Sequence, residues 1–171
     1  MHDTDDLIAL LNQFRSAELR GAGVILRLGR LADTSRLRVN FTRHLRDEGV
    51  HAWLWTRCIE HLGGEVVEVD DPYQSRLGAH FGLPRRIEEL LAVTLVSERR
   101  GVSAYEELLG TEIPAKVSSA ATAILKDERW HVSWISQELA QRPAAIVEPI
   151  MHRAVQADLR AAAEVRAVVT V

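Results

Sequence analysis

The sequence predicts an all-α fold: a four-helix bundle with a long crossover between its second and third helices, plus an additional C-terminal helix. Three observations carry this. Apolar residues recur every three or four positions through four long stretches, the period of helices buried along one face. Aligning residue n with residue n+80 superposes the first two stretches on the last two, so one helical hairpin is used twice. A single acidic, glycine-containing connection over residues 64–83 separates the hairpins. It is long enough to cross from one end of a bundle to the other, which lets helices two and three run parallel in an up-down-down-up order.

The first helix is expected over residues 4–31, with the stripe Leu7, Leu11, Phe14, Glu18, Gly21, Ile25 and Leu28, and Thr4 as N-cap. Asp33 or Thr34 caps a second helix over 35–62, whose stripe holds Leu37, Phe41, His44 or Leu45, Glu48, His51, Trp55, Ile59 and Leu62. Gly63-Gly64 stops it. In the connection, Glu65, Glu68, Asp70, Asp71, Pro72, Gly78 and Gly82 read as loop, with local order expected at Val66-Val67 or from Tyr73 to Phe81. Pro84 suits the first turn of helix three, which carries Ile87, Leu91, Leu95 or Thr94, Glu98, Val102, Tyr105 and Leu108, and ends at Gly110. Pro114 opens helix four, with Val117, Ala121, Ile124, Glu128, His131, Ile135 and Leu139 inward, and Arg142-Pro143 stops it. Residues 1–142 thus form the bundle, and 143–171 a helical extension of the same domain, with Pro149 near that helix's start. The extension is expected to cover the bundle or to meet another subunit of a homo-oligomer, a dimer or larger.

The 171 residues fit one domain, 47% of them apolar and 26% charged. A net charge of −3, with arginines interleaved among acids, argues against nucleic acid as the main partner. No apolar run is long enough for a membrane span, and the acidic N-terminus lacks a signal peptide's basic start, so a cytoplasmic protein is expected. One cysteine, Cys58, excludes an intrachain disulfide and a four-cysteine iron site within this chain.

The chemistry lies on the stripes. Glu128 and His131 form a Glu-x-x-His, and Glu48 and His51 form another 80 residues earlier. Each has a glutamate thirty residues upstream, Glu98 and Glu18. Positions i and i+3 share a helix face, so each motif can offer an oxygen and a nitrogen to one metal. One Glu from each of two helices plus a Glu-x-x-His from each of the other two is the ligand pattern of di-iron and di-manganese bundles. Two iron ions are expected, with manganese or a mixed Mn/Fe pair as alternatives; zinc would bind without redox chemistry. Four glutamates on core stripes would cost several kcal/mol each if buried and unpaired, and two divalent cations match their charge. The competing reading is a metal-free bundle whose glutamates pair with Arg20 and Arg100 or turn to solvent. Asp127 is expected to orient His51, and Asp47 to orient His131, across the pseudo-axis; the alternative for both is a solvated or capping aspartate. Tyr105, seven residues after Glu98 on the same face, is a candidate catalytic residue that hydrogen-bonds a ligand carboxylate or takes part in electron transfer; the alternative is core packing. His44 reads as a satisfied boundary histidine, the four tryptophans as packing with Trp134 walling the site, and Cys58 as a small buried apolar residue.

Ile124-Leu-Lys-Asp-Glu-Arg-Trp-His-Val-Ser-Trp-Ile-Ser-Gln-Glu-Leu139 resembles the last bundle helix of bacterioferritins and rubrerythrins, and Arg46 to Trp53 resembles their second. The resemblance to the ferritin-like superfamily covers about residues 5–142. It implies a non-haem di-iron centre that reacts with dioxygen or hydrogen peroxide and draws on a separate electron donor. Glu18, Glu48, Glu98 and Glu128 would be carboxylate ligands, Glu48 and Glu128 bridging, with His51 and His131 the nitrogen ligands. Gly49 stands where bacterioferritins carry a haem-binding Met, so no haem is expected. Ile25 stands where many ferritins carry a tyrosine, and Tyr105 occupies the repeat-related place. The implied activity is an oxidoreductase, a peroxidase, ferroxidase or oxygenase; the alternative is iron storage in a large oligomer.

Overall fold

The computed structural model describes residues 4–69 and 73–169. Asp70, Asp71 and Pro72, expected as loop, lie outside the described residues, as do the first three and last two. The described residues are all-helical: α1 (Thr4–Leu28), α2 (Ser35–His61), α3 (Tyr73–Phe81), α4 (Ile87–Leu109), α5 (Ala115–Ala140) and α6 (Ala144–Val169). None of these helices is long and apolar enough to cross a membrane.

The helix ends follow local chemistry. Asp5 and Asp6 sit in the first turn of α1 and Arg27 in its last, each complementing the helix dipole. The expected first helix shortens at its end, because Gly29–Leu31 tightens into a 3₁₀ turn. Thr34 caps α2, its hydroxyl accepting from the Leu37 N–H at 3.2 Å. Gly63, with φ +76°, takes the left-handed conformation that ends α2. Pro149 lies in the second turn of α6, near the helix start as expected, at the cost of one helical N–H bond. Two expectations shift. Helix α4 begins at Ile87, three residues after Pro84, and Glu89 reaches back to accept from the Arg85 N–H at 2.9 Å. Thr4 is the first helical residue described, not a residue outside the helix.

Two apolar clusters bracket the middle of the bundle. One joins Leu7 and Leu11 of α1, Trp55 and Ile59 of α2, Leu108 of α4 and Val117, Ala121 and Ile124 of α5. The other joins Ile25 and Leu28, Leu37 and Phe41, Leu90, Leu91 and Leu95, and Trp134, Ile135 and Leu139 of the same four helices. The early half of α1 therefore shares a core with the late halves of α2 and α4, and the arrangement reverses at the other end. The crossover lies along α1. Buried Asn12 donates to the Glu65 carbonyl at 3.0 Å and accepts from the Val67 N–H at 2.9 Å, and Ser16 accepts from the Val69 N–H. These bonds satisfy backbone groups that would otherwise have no partner against the helix. Helix α6 packs on α3 and the outer face of α4 through Ile150, Ala154, Ala157 and Ala161. Asp158 fastens it, accepting from Arg100 at 2.5 and 2.8 Å and from Tyr73 at 2.5 Å.

The apolar clusters carry the stability. Leu91 is fully buried and Leu26 is 73% exposed. Leu91→Ala is expected to lower the unfolding free energy by about 2–5 kcal/mol, and Leu26→Ala to change it by less than about 0.5 kcal/mol. Urea denaturation of the two variants checks the contrast.

Candidate metal centre

Between the two clusters the core turns polar. Glu18 on α1, Glu48 and His51 on α2, Glu98 on α4, and Glu128 and His131 on α5 meet there, all buried. The six residues singled out by spacing come together. So does a seventh, His44, fully buried one turn before Glu48. It is not a boundary histidine. Its Nε2 lies 3.0 Å from Glu48 and 3.3 Å from Glu98, and its ring stacks on His131 with centroids 3.7 Å apart. The signal was available: i and i+4 share a helix face. The 80-residue repeat hid it, because the repeat-related position holds Ile124.

The seven residues form two ligand groups. His44, Glu48, Glu98 and His131 offer atoms all within 4.8 Å of one another, and so do Glu18, Glu48, His51 and Glu128. Glu48 belongs to both. His51 turns Nδ1 toward Glu128 (3.1 Å) and Glu18 (3.4 Å), and His131 turns Nδ1 toward Glu98 (3.3 Å) and Glu128 (3.4 Å). The opposite nitrogens face the aspartates of the other half: His51 Nε2 lies 3.6 Å from Asp127, and His131 Nε2 3.4 Å from Asp47. A proton held at each Nε2 leaves the Nδ1 lone pair aimed into the centre. Asp47 is held by Arg46 and Arg43. The Tyr105 hydroxyl donates to Glu18. Arg100, a candidate counterion for the glutamates, is paired with Asp158 instead. Trp134 sits edge-on to His44 at 5.9 Å and packs on Phe41, walling this end of the centre.

One glycine makes room. A Cβ at Gly21 would stand 2.4 Å from Glu48 Oε2, closer than any side chain tolerates. A Cβ at the repeat-related Gly101 would stand 3.9 Å from Glu128 Oε2, an ordinary contact, so only Gly21 is needed for space. The shared Glu-x-x-Gly of the two halves thus places a small residue beside each motif glutamate.

Without metal this cluster is electrostatically strained. Burial, then the charges of Glu18, Glu98 and Glu128, push Glu48 well above the ordinary carboxylate range. Burial and Glu98 push Glu128 up to about 7. Burial disfavours charge on His51, but the close carboxylates of Glu128 and Glu18 outweigh it and raise the ring to about 11. Burial is likewise outweighed at His131 by Glu128 and Glu98, which raise it to about 11. For Glu98 the nearby His44, Glu128 and His131 outweigh burial and hold the carboxyl well below its usual value. Divalent cations fit this donor set. Four carboxylates would balance two such ions, and the His51 Nδ1 and Nε2 and His44 Nδ1 atoms are buried with no well-formed hydrogen bond among the described residues. Carboxylate with imidazole suits iron or manganese.

A cavity of about 390 Å³ opens onto the centre between α1 and α4, and Glu18, Glu48, Glu98, Glu128 and Tyr105 line it. Comparison with protein families, curated proteins and solved structures gives no match, so the reading of this site rests on its own geometry.

Two outcomes follow. His51 and His131 hold protons up to about 11 and Glu128 up to about 7 in the metal-free protein, and a metal must displace them. Affinity for Zn²⁺ in chelator competition is therefore expected to rise with pH, roughly tenfold or more from pH 6 to pH 8. An affinity independent of pH would place the ion elsewhere. The stabilisation the raised histidines give the metal-free fold is full below their ordinary value of 6.5 and is lost as pH climbs through about 11. Second, Gly21→Ala is expected to displace Glu48 and reduce bound metal, while Gly23→Ala, whose Cβ would meet nothing within 4 Å, leaves metal content unchanged. Elemental analysis of both variants decides this.

Proposed function

We propose that this chain is a ferritin-like di-iron protein with the up-down-down-up bundle order, a non-haem oxidoreductase that activates dioxygen or hydrogen peroxide. A manganese–iron pair would serve the same ligands. The observation that carries the reading is the pair of buried ligand groups that share Glu48. The helix order is supported by the two apolar clusters, in which opposite halves of α1 and α4 meet.

Two redox-active ions in such a site supply the electrons that reduce dioxygen or peroxide, with a separate donor restoring them. The protein's part is placement. Glu48 spans both groups, and Glu128 lies within reach of both histidines. Asp47 accepts from His131 Nε2 and so favours one tautomer of that ring, while Asp127 faces His51 Nε2 at 3.6 Å as its nearest acidic neighbour. Tyr105 keeps a proton on its hydroxyl toward Glu18, and burial raises its pKa well above the usual value, so that proton stays at neutral pH. The apolar clusters close the centre at both ends of the bundle and leave the cavity between α1 and α4 as its opening.

The test is iron stoichiometry. Fe(II) is added anaerobically to metal-free protein, oxygen is admitted, and iron is counted after desalting. About two per chain is expected, falling toward zero in Glu48→Ala, which belongs to both groups. In His44→Ala, iron at the Glu18, His51 and Glu128 group should persist. Tens of irons per chain would replace the enzyme reading with storage. None, in folded protein, would sink the metal centre.

A further inference from the structure

The cavity at the centre does not end there. A second one, of about 240 Å³, adjoins it and shares Gly21, Gln74, Ser97 and Glu98 as lining. The two form one groove along α1 and α4, roofed on its outer side by α3 and, over the first cavity, by α6. Helices α1 and α4 pack mainly on their hairpin partners, α2 and α5. That leaves the seam between them open. All four glutamates face this groove, whereas none of the three histidines lines it. Metals held by the seven residues would therefore turn their carboxylate side toward it.

We propose that this groove binds a neutral, elongated, largely apolar organic molecule carrying one O–H or N–H donor, and that such a molecule is the substrate. Calling it the substrate rests on the proposed function; the binding itself does not. Size is the first argument. Water takes up about 30 Å³ in the liquid, and dioxygen and peroxide are of similar scale. Each chamber is far larger, and the first is already within the range of organic ligand sites.

The walls specify the chemistry. Ile25, Leu28, Leu77 and Val93 make the second chamber apolar, and Val24 and Leu83 line it while remaining 37% and 63% exposed. Exposed apolar side chains gathered at a groove mark a surface that something covers. The walls of the first chamber carry Arg100 and Arg76, but Asp158 and Glu164 pair with them, so no net positive charge is offered to an anion. Gln74 sits where the chambers meet. Its Oε1 is buried and has no hydrogen-bond partner among the described residues. An acceptor left so costs about 1–3 kcal/mol, and a ligand's O–H or N–H would satisfy it.

Octan-1-ol and octanoate serve as probes in calorimetric titration of the full chain, as purified and after chelation. Octan-1-ol is expected to bind at one site, and octanoate, which cannot donate, at least roughly fivefold more weakly. Ser97→Phe, placed at the junction, should weaken octan-1-ol at least tenfold, and Gln74→Leu by roughly two- to tenfold. Gly101→Leu provides a second obstruction if Ser97→Phe does not fold. No octan-1-ol binding by the unaltered chain, binding indifferent to a folded obstructing variant, or a preference for octanoate would each overturn the proposal. Iron counts on the same samples separate the two readings. Octan-1-ol bound by a chain that takes up no metal would sink the proposed function and keep the groove. Two irons with no octan-1-ol would do the reverse.

Discussion

Like-charge crowding in a dry core is the constraint on which this structure depends. Four carboxylates converge between two apolar clusters, where Coulomb repulsion is screened far less than in water. The partners they have are three imidazoles, a phenol and one another. Much else answers to that crowding. Gly21 yields the space that Glu48 occupies, and acidic side chains stand behind His51 and His131, Asp47 accepting from the His131 ring. The lifted protons of Glu48 and Glu128 show a cluster short of positive charge.

The two halves solve this in parallel but not identically. Where the second half has Ile124, the first has His44, which gives one ligand group two nitrogens and the other a single one. Gly21 crowds Glu48 while Gly101 stands off Glu128 at ordinary contact distance. The repeat supplies the frame, and departures from it make the two ligand groups inequivalent. A site with more imidazole favours later first-row divalent metals than a carboxylate-rich one. Inequivalence of this kind is compatible with a mixed-metal pair.

Much of this was legible in the sequence because it repeats. Helical periodicity gave the bundle helices, and a carboxylate on an apolar stripe is conspicuous wherever it occurs. Glu18 and Glu98 could be selected for that reason alone. Three features were not legible. His44 sat beside Leu45 at a point where the stripe allowed either, and the repeat matched Leu45 to Leu125 while giving His44 only an apolar counterpart, Ile124. Local order from Tyr73 to Phe81 was expected, but that it is a helix fastened to α6 by contacts such as Tyr73 to Asp158 was not, because no local pattern encodes that partner. The groove is a property of how far apart α1 and α4 stand, which side-chain identity does not report.

The aspartates behind the histidines differ in their access to water. Asp47 is 3% exposed and clamped by arginines, whereas the Asp127 side chain is 36% exposed. The two imidazoles are therefore backed differently, His51 by a carboxylate that solvent wets and His131 by one withdrawn from it, although both look inward onto glutamates that line the same cavity.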